Sequence, residues 1–369
     1  MTPTTRLQPD LLEDWIKRLI NAAGCSPDDA AMVAEHLIEA DASGHPSHGI
    51  VRVERYLDWV RAGKLKAETK ITAIMDSGNM LLLDGHFSFG QVIGHRIISE
   101  AASRVAEHGI ALVAVRHAGH LGRIGAWAER LANSGLISVS FVTVAGSRIV
   151  APFGAREARL STAPVAIGIP NNTADGSADP FVLDFATSRV AEGKVLVAQK
   201  TGSSIPPDSL VDADGEDNND PVTLYGDSAT EAVPNPRLGP GALQTMGQHK
   251  GSGLGLACEL LAGALTGAGT NADDGPGFGN GMLTIAICPK RFGDQAPIRA
   301  EINRYITSIR NAAPRQPGEP VMIPGDPERM RRKQMATEGI PLSAEVISGL
   351  VRESRHYGVS LPAGLEENG

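Results

Sequence analysis

Between Gly44 and Tyr56 the chain places two histidines, two arginines and a tyrosine within thirteen residues: Gly44-His45-Pro46-Ser47-His48-Gly49-Ile50-Val51-Arg52-Val53-Glu54-Arg55-Tyr56. Ser47 is a capping residue type, and Ile50, Val53, Leu57 and Val60 recur at the spacing of one buried stripe. Together they predict a helix from Ser47 to about Arg61. His48, Arg52 and Tyr56 then fall at i, i+4 and i+8, in line along another face. An imidazole, a guanidinium and a phenol in one row can move a proton and grip a carboxylate together. A solvated polar face has the same spacing, so the row alone leaves both readings open.

Three further segments carry chemistry. Arg116-His117-Ala118-Gly119-His120-Leu121-Gly122 leaves an apolar strand (110–115) at its carboxyl end, where α/β sheets bind ligands; a loop-capping histidine also fits. Asp184 ends another apolar strand, where a carboxylate is costly unless paired. It either caps the following helix or orients a histidine. His249-Lys250-Gly251 opens an apolar helix (about 252–266), which suits a phosphate held at a helix N-terminus. Neither this segment nor Gly119–Gly125 has the spacing of a dinucleotide fingerprint, and nothing predicts a Rossmann fold.

The elements that must position these groups read as a mixed α/β chain. Apolar spacing predicts helices over 10–24, from the Ser26-Pro27 cap to about Ala40, over about 91–108 and over about 123–133. Short apolar runs predict strands at 80–83, 110–115, 136–144, 165–169, 181–184 and 282–287. Residues 201–245, rich in Pro, Gly, Asp and Asn, predict a long irregular segment. Its Asp212-x-Asp214-x-Glu216 run lacks the glycine of a calcium loop, because Asp217 stands there. From Ile298 the pattern predicts two helical stretches around a Pro-Gly segment, with Arg329 to Lys333 as a solvated basic face.

The 369 residues suffice for one large or two ordinary domains. A net charge of −8 argues against nucleic acid or an acidic membrane as partner. Three cysteines, Cys25, Cys258 and Cys288, lie in apolar contexts without a Cys-x-x-Cys pair. That predicts buried thiols in a reducing compartment. MTPTTRLQPD has no apolar h-region, and the run 253–265 is too short to span a bilayer. The expectation is a cytoplasmic protein.

Taken in order, the segments resemble the malate/L-lactate dehydrogenases of the second type. That group takes in ureidoglycolate and sulfolactate dehydrogenases, diketogulonate reductase and reductases of piperideine- and pyrroline-2-carboxylate. The resemblance rests on Ser47-His48-Gly49 with Arg52 and Tyr56, on the loop at His120, and on Ala151-Pro152-Phe153-Gly154. It rests equally on 183–188 with Gly193-Lys194, on His249-Lys250-Gly251, and on Pro324-Gly325-Asp326 with 339–342. It implies a non-Rossmann NAD(P)-binding domain with a mainly antiparallel sheet (119–299). A helical, substrate-binding and dimerising domain would come from both termini (1–118 with 300–369).

As the resemblance implies, His48 is the proton donor, with Ser47 and Asp184 completing a relay; in some members the histidine matching His120 takes that role. Arg52 and Tyr56 would hold the substrate. Phe185, Ala186, Thr187, Ser188, His249, Lys250, Gly325, Asp326 and Pro327 match stretches that contact NAD or NADP. A histidine near a helix N-terminus is a weakened acid, and a carboxylate such as Asp184 would restore it. Two departures stand out: Ser161-Thr162-Ala163-Pro164 replaces Gly-Thr-Asn-Pro, and Gly247-Gln248-His249-Lys250-Gly251-Ser252-Gly253 replaces Gly-Gly-His-Lys-Gly-Tyr-Gly. They leave substrate identity and coenzyme preference open.

The expected activity interconverts a small 2-hydroxy acid and a 2-oxo acid, or a cyclic imine acid and its amine, in a homodimer without metal. Two rivals remain at this level. One is a metal hydrolase using His45-x-x-His48 and His117-x-x-His120, although Pro46 makes joint ligation by the first pair awkward. The other is a non-catalytic ligand-binding protein.

Overall fold

The computed structural model describes residues 4–171, 179–226, 237–272, 277–363 and 365. Among these residues, seven strands form one sheet in the order Thr72–Asp76, Met80–Asp84, Ile110–Ala118, Asn280–Ile287, Ile137–Val144, Val165–Ile169, Phe181–Phe185. Every neighbouring pair is antiparallel except Met80–Asp84 with Ile110–Ala118. A parallel pair needs a crossover, which the helix Gly90–His108 supplies. Both strands therefore end on the same edge of the sheet. That edge carries the loop before Gly90 and the loop of His120.

Alternation explains the sheet's packing. Along Ile110–Ala118, Ala111, Val113, Val115 and Ala118 are fully buried while the residues between them are not. They share a core with Ile93, Ile97, Trp127 and Leu131 from the two flanking helices and with Leu121 from the loop between strand and helix. Burying each such aliphatic side chain stabilises by about 1.5–3 kcal/mol.

A second core joins both ends of the chain. Leu12, Trp15, Ile16, Leu19 and Ile20 of helix Pro9–Ala22 are fully buried. They pack with Leu37, Ile50, Val53 and Leu57, and with Met335, Ile340, Leu342 and Leu350. Trp15 donates its indole N–H to Ser354 at 2.8 Å. A short strand, Thr4–Leu7, pairs with Ile340–Ser343. The mixed α/β class and the mainly antiparallel sheet agree with the sequence reading.

Several details differ from it. The strands 72–76, 80–84 and 110–118 belong to the large sheet, so the boundary expected at 118–119 cuts through it. Hydrogen bonding of Ile110–Ala118 to Asn280–Ile287 extends to Ala118 and joins strands from the two sides of that boundary. The segment 201–245 is not wholly irregular. Leu210–Val211, Asp217–Asn218 and Ala242–Leu243 form a small sheet over Val195, Leu224 and Tyr225. Asp212 accepts the backbone N–H groups of Asp214 and Glu216 and closes a turn.

The C-terminal part has three helices, Gln295–Arg310, Asp326–Glu338 and Ala344–Tyr357. The basic run on the second is not simply solvated. Arg332 reaches Glu39 and Glu129, which Arg123 also bridges, and Arg329 pairs with Asp326. Cys25 and Cys258 are buried free thiols, whereas Cys288 is half-buried. No described helix is long and apolar enough to cross a membrane.

Candidate active site

The helix expected from Ser47 begins later. Two 3₁₀ turns, Pro46–His48 and Ile50–Arg52, precede the α-helix Val53–Arg61. Ser47 caps neither turn. Asp41, from the end of the preceding helix, accepts the Ile50 N–H at 2.6 Å. Gly49 sits against that carboxylate, and a Cβ there would collide with it. The seam breaks the single row along a helix: Arg52 folds back so that Nε donates to the Ser47 carbonyl at 2.5 Å.

What the broken row gains is convergence on His120. The His48 and His120 rings stack with centroids 5.3 Å apart and planes within 8°. The Tyr56 hydroxyl lies 2.6 Å from His120 Nδ1 and accepts a hydrogen bond from Gln91 Nε2 at 2.9 Å. Tyr56 and Gln91 are fully buried. The His120 loop is held by Gly119 N–H to the Ser88 carbonyl and by Leu121 N–H to Asn280. Gly90 makes this possible, because any Cβ there would strike the His120 carbonyl.

The electrostatics follow from burial. Desolvation, then the nearby Arg52, pushes His48 and His120 well below the ordinary imidazole range. Burial raises Tyr56 to about 12. Arg55, stacked on Trp59 at 4.9 Å, is lowered to about 10 by burial and by Arg52. Near neutrality the site thus holds two neutral imidazoles and a neutral phenol beside two cations. Burial pushes Glu192 up, but Arg237 overrides it and holds that carboxylate ionised, at 2.5 Å. No described carboxylate forms a salt bridge with Arg52.

Asp184 does not join His48. Its Oδ2 accepts the Gly125 N–H at 2.7 Å, so it closes the amino end of helix Ile124–Asn133 rather than orienting the histidine. Burial raises its pKa, opposed by Arg123. The buried His48 Nδ1 has no hydrogen-bond partner among the described residues. The Tyr56 hydroxyl is engaged by His120 and Gln91. Ser47 stays at the site's edge, beside Gly193.

The two His-x-x-His pairs come apart. His45 pairs with Glu328 at 3.1 Å and His117 with Asp84 at 3.2 Å, while their partners stack on each other.

The expected cofactor stretches fall into two places. The turn 185–188 packs on the start of helix His249–Cys258: Met246 N–H donates to the Thr187 carbonyl, and Gly251 has no space for a Cβ beside it. His249 and Lys250 are exposed there, and Lys250 has no described acidic partner. Gly325-Asp326-Pro327 lies at the other end of strand Phe181–Phe185, with Gly325 against Pro180. Asp326 is already paired with Arg310 and Arg329. The five-residue strand between them is about 13 Å long at 3.3 Å per residue step. A cation, an imidazole and hydroxyls at one end suit an anionic, extended dinucleotide.

At the departures, Ser161 donates to the buried Glu259 at 3.0 Å. Ala163 adopts a positive φ of 36°, and Ser252 accepts from Phe153 N–H.

Sequence reasoning missed Gln91, Arg55 and Trp59. Arg55 and Trp59 stand four apart inside the very segment singled out, a signal that was available. Gln91 had none, because its partner is thirty-five residues away.

The sequence pattern of the malate/L-lactate dehydrogenase family matches residues 7–351. The chain is similar to hydroxycarboxylate dehydrogenase B of Escherichia coli (strain K12), at 32% identity over 96% of this chain and 95% of that one. A solved E. coli structure of malate/lactate dehydrogenase type has a TM-score of 0.88 at 32% identity, covering 96% of each chain. The Δ1-piperideine-2-carboxylate reductase of Pseudomonas syringae pvar. tomato gives 0.79 at 27%, covering 95% of this chain and all of that one. With that match along nearly its whole length, the chain belongs to the malate/L-lactate dehydrogenase family.

Proposed function

We propose that the protein interconverts a small 2-hydroxy acid and its 2-oxo acid with NAD or NADP. The observation that carries this reading is the assembly of His120 and His48 beside Arg52. A bidentate guanidinium suits a carboxylate, and two imidazoles one ring-stack apart suit the oxygen on the adjacent carbon. When bound, the nicotinamide supplies or removes the hydride at that carbon. Phe185, Ala186, Thr187, Ser188, His249 and Lys250 would hold the dinucleotide at one end, with Gly325, Asp326 and Pro327 at the other.

Within this reading Arg52 fixes the acid, His120 exchanges the proton with the substrate oxygen, and His48 donates a second hydrogen bond to it. His120 takes the acid/base role because its inner nitrogen has a partner and that of His48 does not. The same groups would protonate the nitrogen of a cyclic imine acid, a second reading favoured by the structural likeness to the imine reductase.

A homodimer in the cytoplasm belongs to the same proposal. Leu256 and Leu260, one turn apart, are half exposed and would suit a second copy, and the free thiols suit a reducing compartment.

The direct test follows NADH and NADPH absorbance against a panel of 2-oxo acids and cyclic imine acids, without added metal. Turnover with a 2-oxo acid is expected. Turnover with imine acids alone favours the second reading, and none with either coenzyme overturns both.

A further inference from the structure

His120 faces a difficulty as an acid. Held neutral, it would have to surrender its only ring proton and become an anion, unless its other nitrogen is supplied at the same moment. The Tyr56 hydroxyl sits at 2.6 Å from that nitrogen, Nδ1. Gln91 Nε2 donates to the same hydroxyl oxygen from the far side at 2.9 Å. A phenol has one hydrogen; with Gln91 occupying an oxygen lone pair, the hydrogen's available acceptor is Nδ1. His120 then carries its proton on Nε2.

We propose that Gln91 is a positioning residue that fixes the direction of the Tyr56–His120 hydrogen bond, so that Tyr56 supplies the substrate's proton through His120. The inference rests on the 2-oxo acid reading above. In reduction, hydride adds to C2 and the carbonyl π pair moves onto oxygen. That oxygen takes the proton from His120 Nε2. The N–H electrons stay in the ring, and Nδ1 takes the phenol hydrogen. The phenolate keeps the O–H pair, accepts the Gln91 N–H and lies near Arg52 and Arg55, both of which favour its ionised form. After product leaves, a water molecule gives a proton to Nε2 and departs as hydroxide to solvent, and Nδ1 returns its proton to the phenolate.

The relay runs downhill: even with burial pushing the Tyr56 phenol up to about 12, a phenolate is a far weaker base than the alkoxide formed on the substrate. The imidazole need not hold a net charge at any stage, which suits a ring whose charged form desolvation disfavours. Gln91 is fully buried, and its one described side-chain hydrogen bond goes to the phenol, its Oε1 having no partner among the described residues.

The test begins with the enzyme carrying ¹⁵N-labelled histidine and no ligand. The His120 resonances are assigned by their loss in His120→Gln. The wild type is expected to show a protonated Nε2 and a bare Nδ1; the opposite tautomer overturns the proposal without any assay of turnover. Gln91→Leu is expected to mix the two tautomers and lower the reductive kcat about tenfold, the preference one neutral hydrogen bond can carry. KM for the 2-oxo acid should stay within about twofold. Gln91→Leu with unchanged tautomer and kcat overturns the proposal. If that variant fails to fold, Gln91→Met and the wild-type tautomer decide. A correct tautomer in a protein that turns over no 2-oxo or imine acid overturns the functional reading and with it the catalytic use of the relay, and leaves the orientation by Gln91 standing.

Discussion

His48 and His120 lie face to face with their planes within 8°, yet only His120 has its inner nitrogen held, by Tyr56. The two half-buried rings share one neighbouring cation, Arg52, so their difference lies in partners and not in charge. Two equivalent imidazoles would compete for the substrate oxygen. A held ring and a bare one can divide the work.

His120→Ala should therefore lower kcat by roughly 10²–10⁴-fold, the range for a positioned acid/base. His48→Ala should act mainly on KM. Because burial keeps both rings neutral far below the usual imidazole range, the reductive kcat of the wild type should show no limb near pH 6.5. Steady-state kinetics from pH 5.5 to 8.5 check all three. A His48→Ala variant that loses turnover while His120→Ala keeps it reverses the assignment.

Arg52→Lys should raise KM for the acid at least tenfold and change KM for the coenzyme little. Lysine keeps the charge and loses the two-pronged match to a carboxylate. It also loses the Nε–H that donates to the Ser47 carbonyl, so the turn that presents His48 loosens as well. Separate titrations of coenzyme and substrate in the variant would tell the two effects apart; an unchanged KM for the acid removes Arg52 from the site.

Much of this was legible in the sequence, for identifiable reasons. Long elements with clear periodicity, such as Pro27–Ala42 and Ile110–Ala118, were read within a few residues, because burial on one face dictates both pattern and structure. His48, Arg52 and His120 could be singled out by type and loop position. The pairing of Asp184 with His48 could not be decided: a buried carboxylate needs a donor, and sequence does not say whether an imidazole or the Gly125 backbone provides it. The late start of helix Val53–Arg61 was equally hidden, since the turn before it is held at Ile50 by Asp41, on another helix. Gln91 stayed invisible because its role depends on a contact made only by the packing of two helices.

Asp184→Asn should leave the pH–rate profile unchanged and cost little stability, since its amide oxygen can still accept the Gly125 N–H. Asp184→Ala removes that acceptor and should destabilise by about 1 kcal/mol, the usual cost of a lost helix cap. Urea melts and pH–rate profiles of both variants check this. A profile that shifts in Asp184→Asn would return the carboxylate to the catalytic relay.

Asp41 gives the protein a pH dependence of unusual sign for a carboxylate. Burial raises it from 3.8 to about 7, only partly offset by the Ile50 N–H. Between about pH 4 and 7 the folded chain keeps a proton that the unfolded chain has lost. Stability attributable to this group therefore falls as pH rises through that window and levels off above it. Asp41→Asn cannot titrate and retains an acceptor for Ile50. It should match the wild type near pH 4 and become progressively the more stable of the two toward pH 7 and above. The ceiling is about 4 kcal/mol, three pKa units at 1.36 kcal/mol each. Taking the difference between the two proteins cancels the opposite contribution of buried His36, which is lowered to about 3 by desolvation and destabilises the fold as pH drops below about 6.5. Urea unfolding of both proteins at several pH values between 4.5 and 8 is the measurement, and a gap that stays constant with pH would show that Asp41 is ionised in the fold.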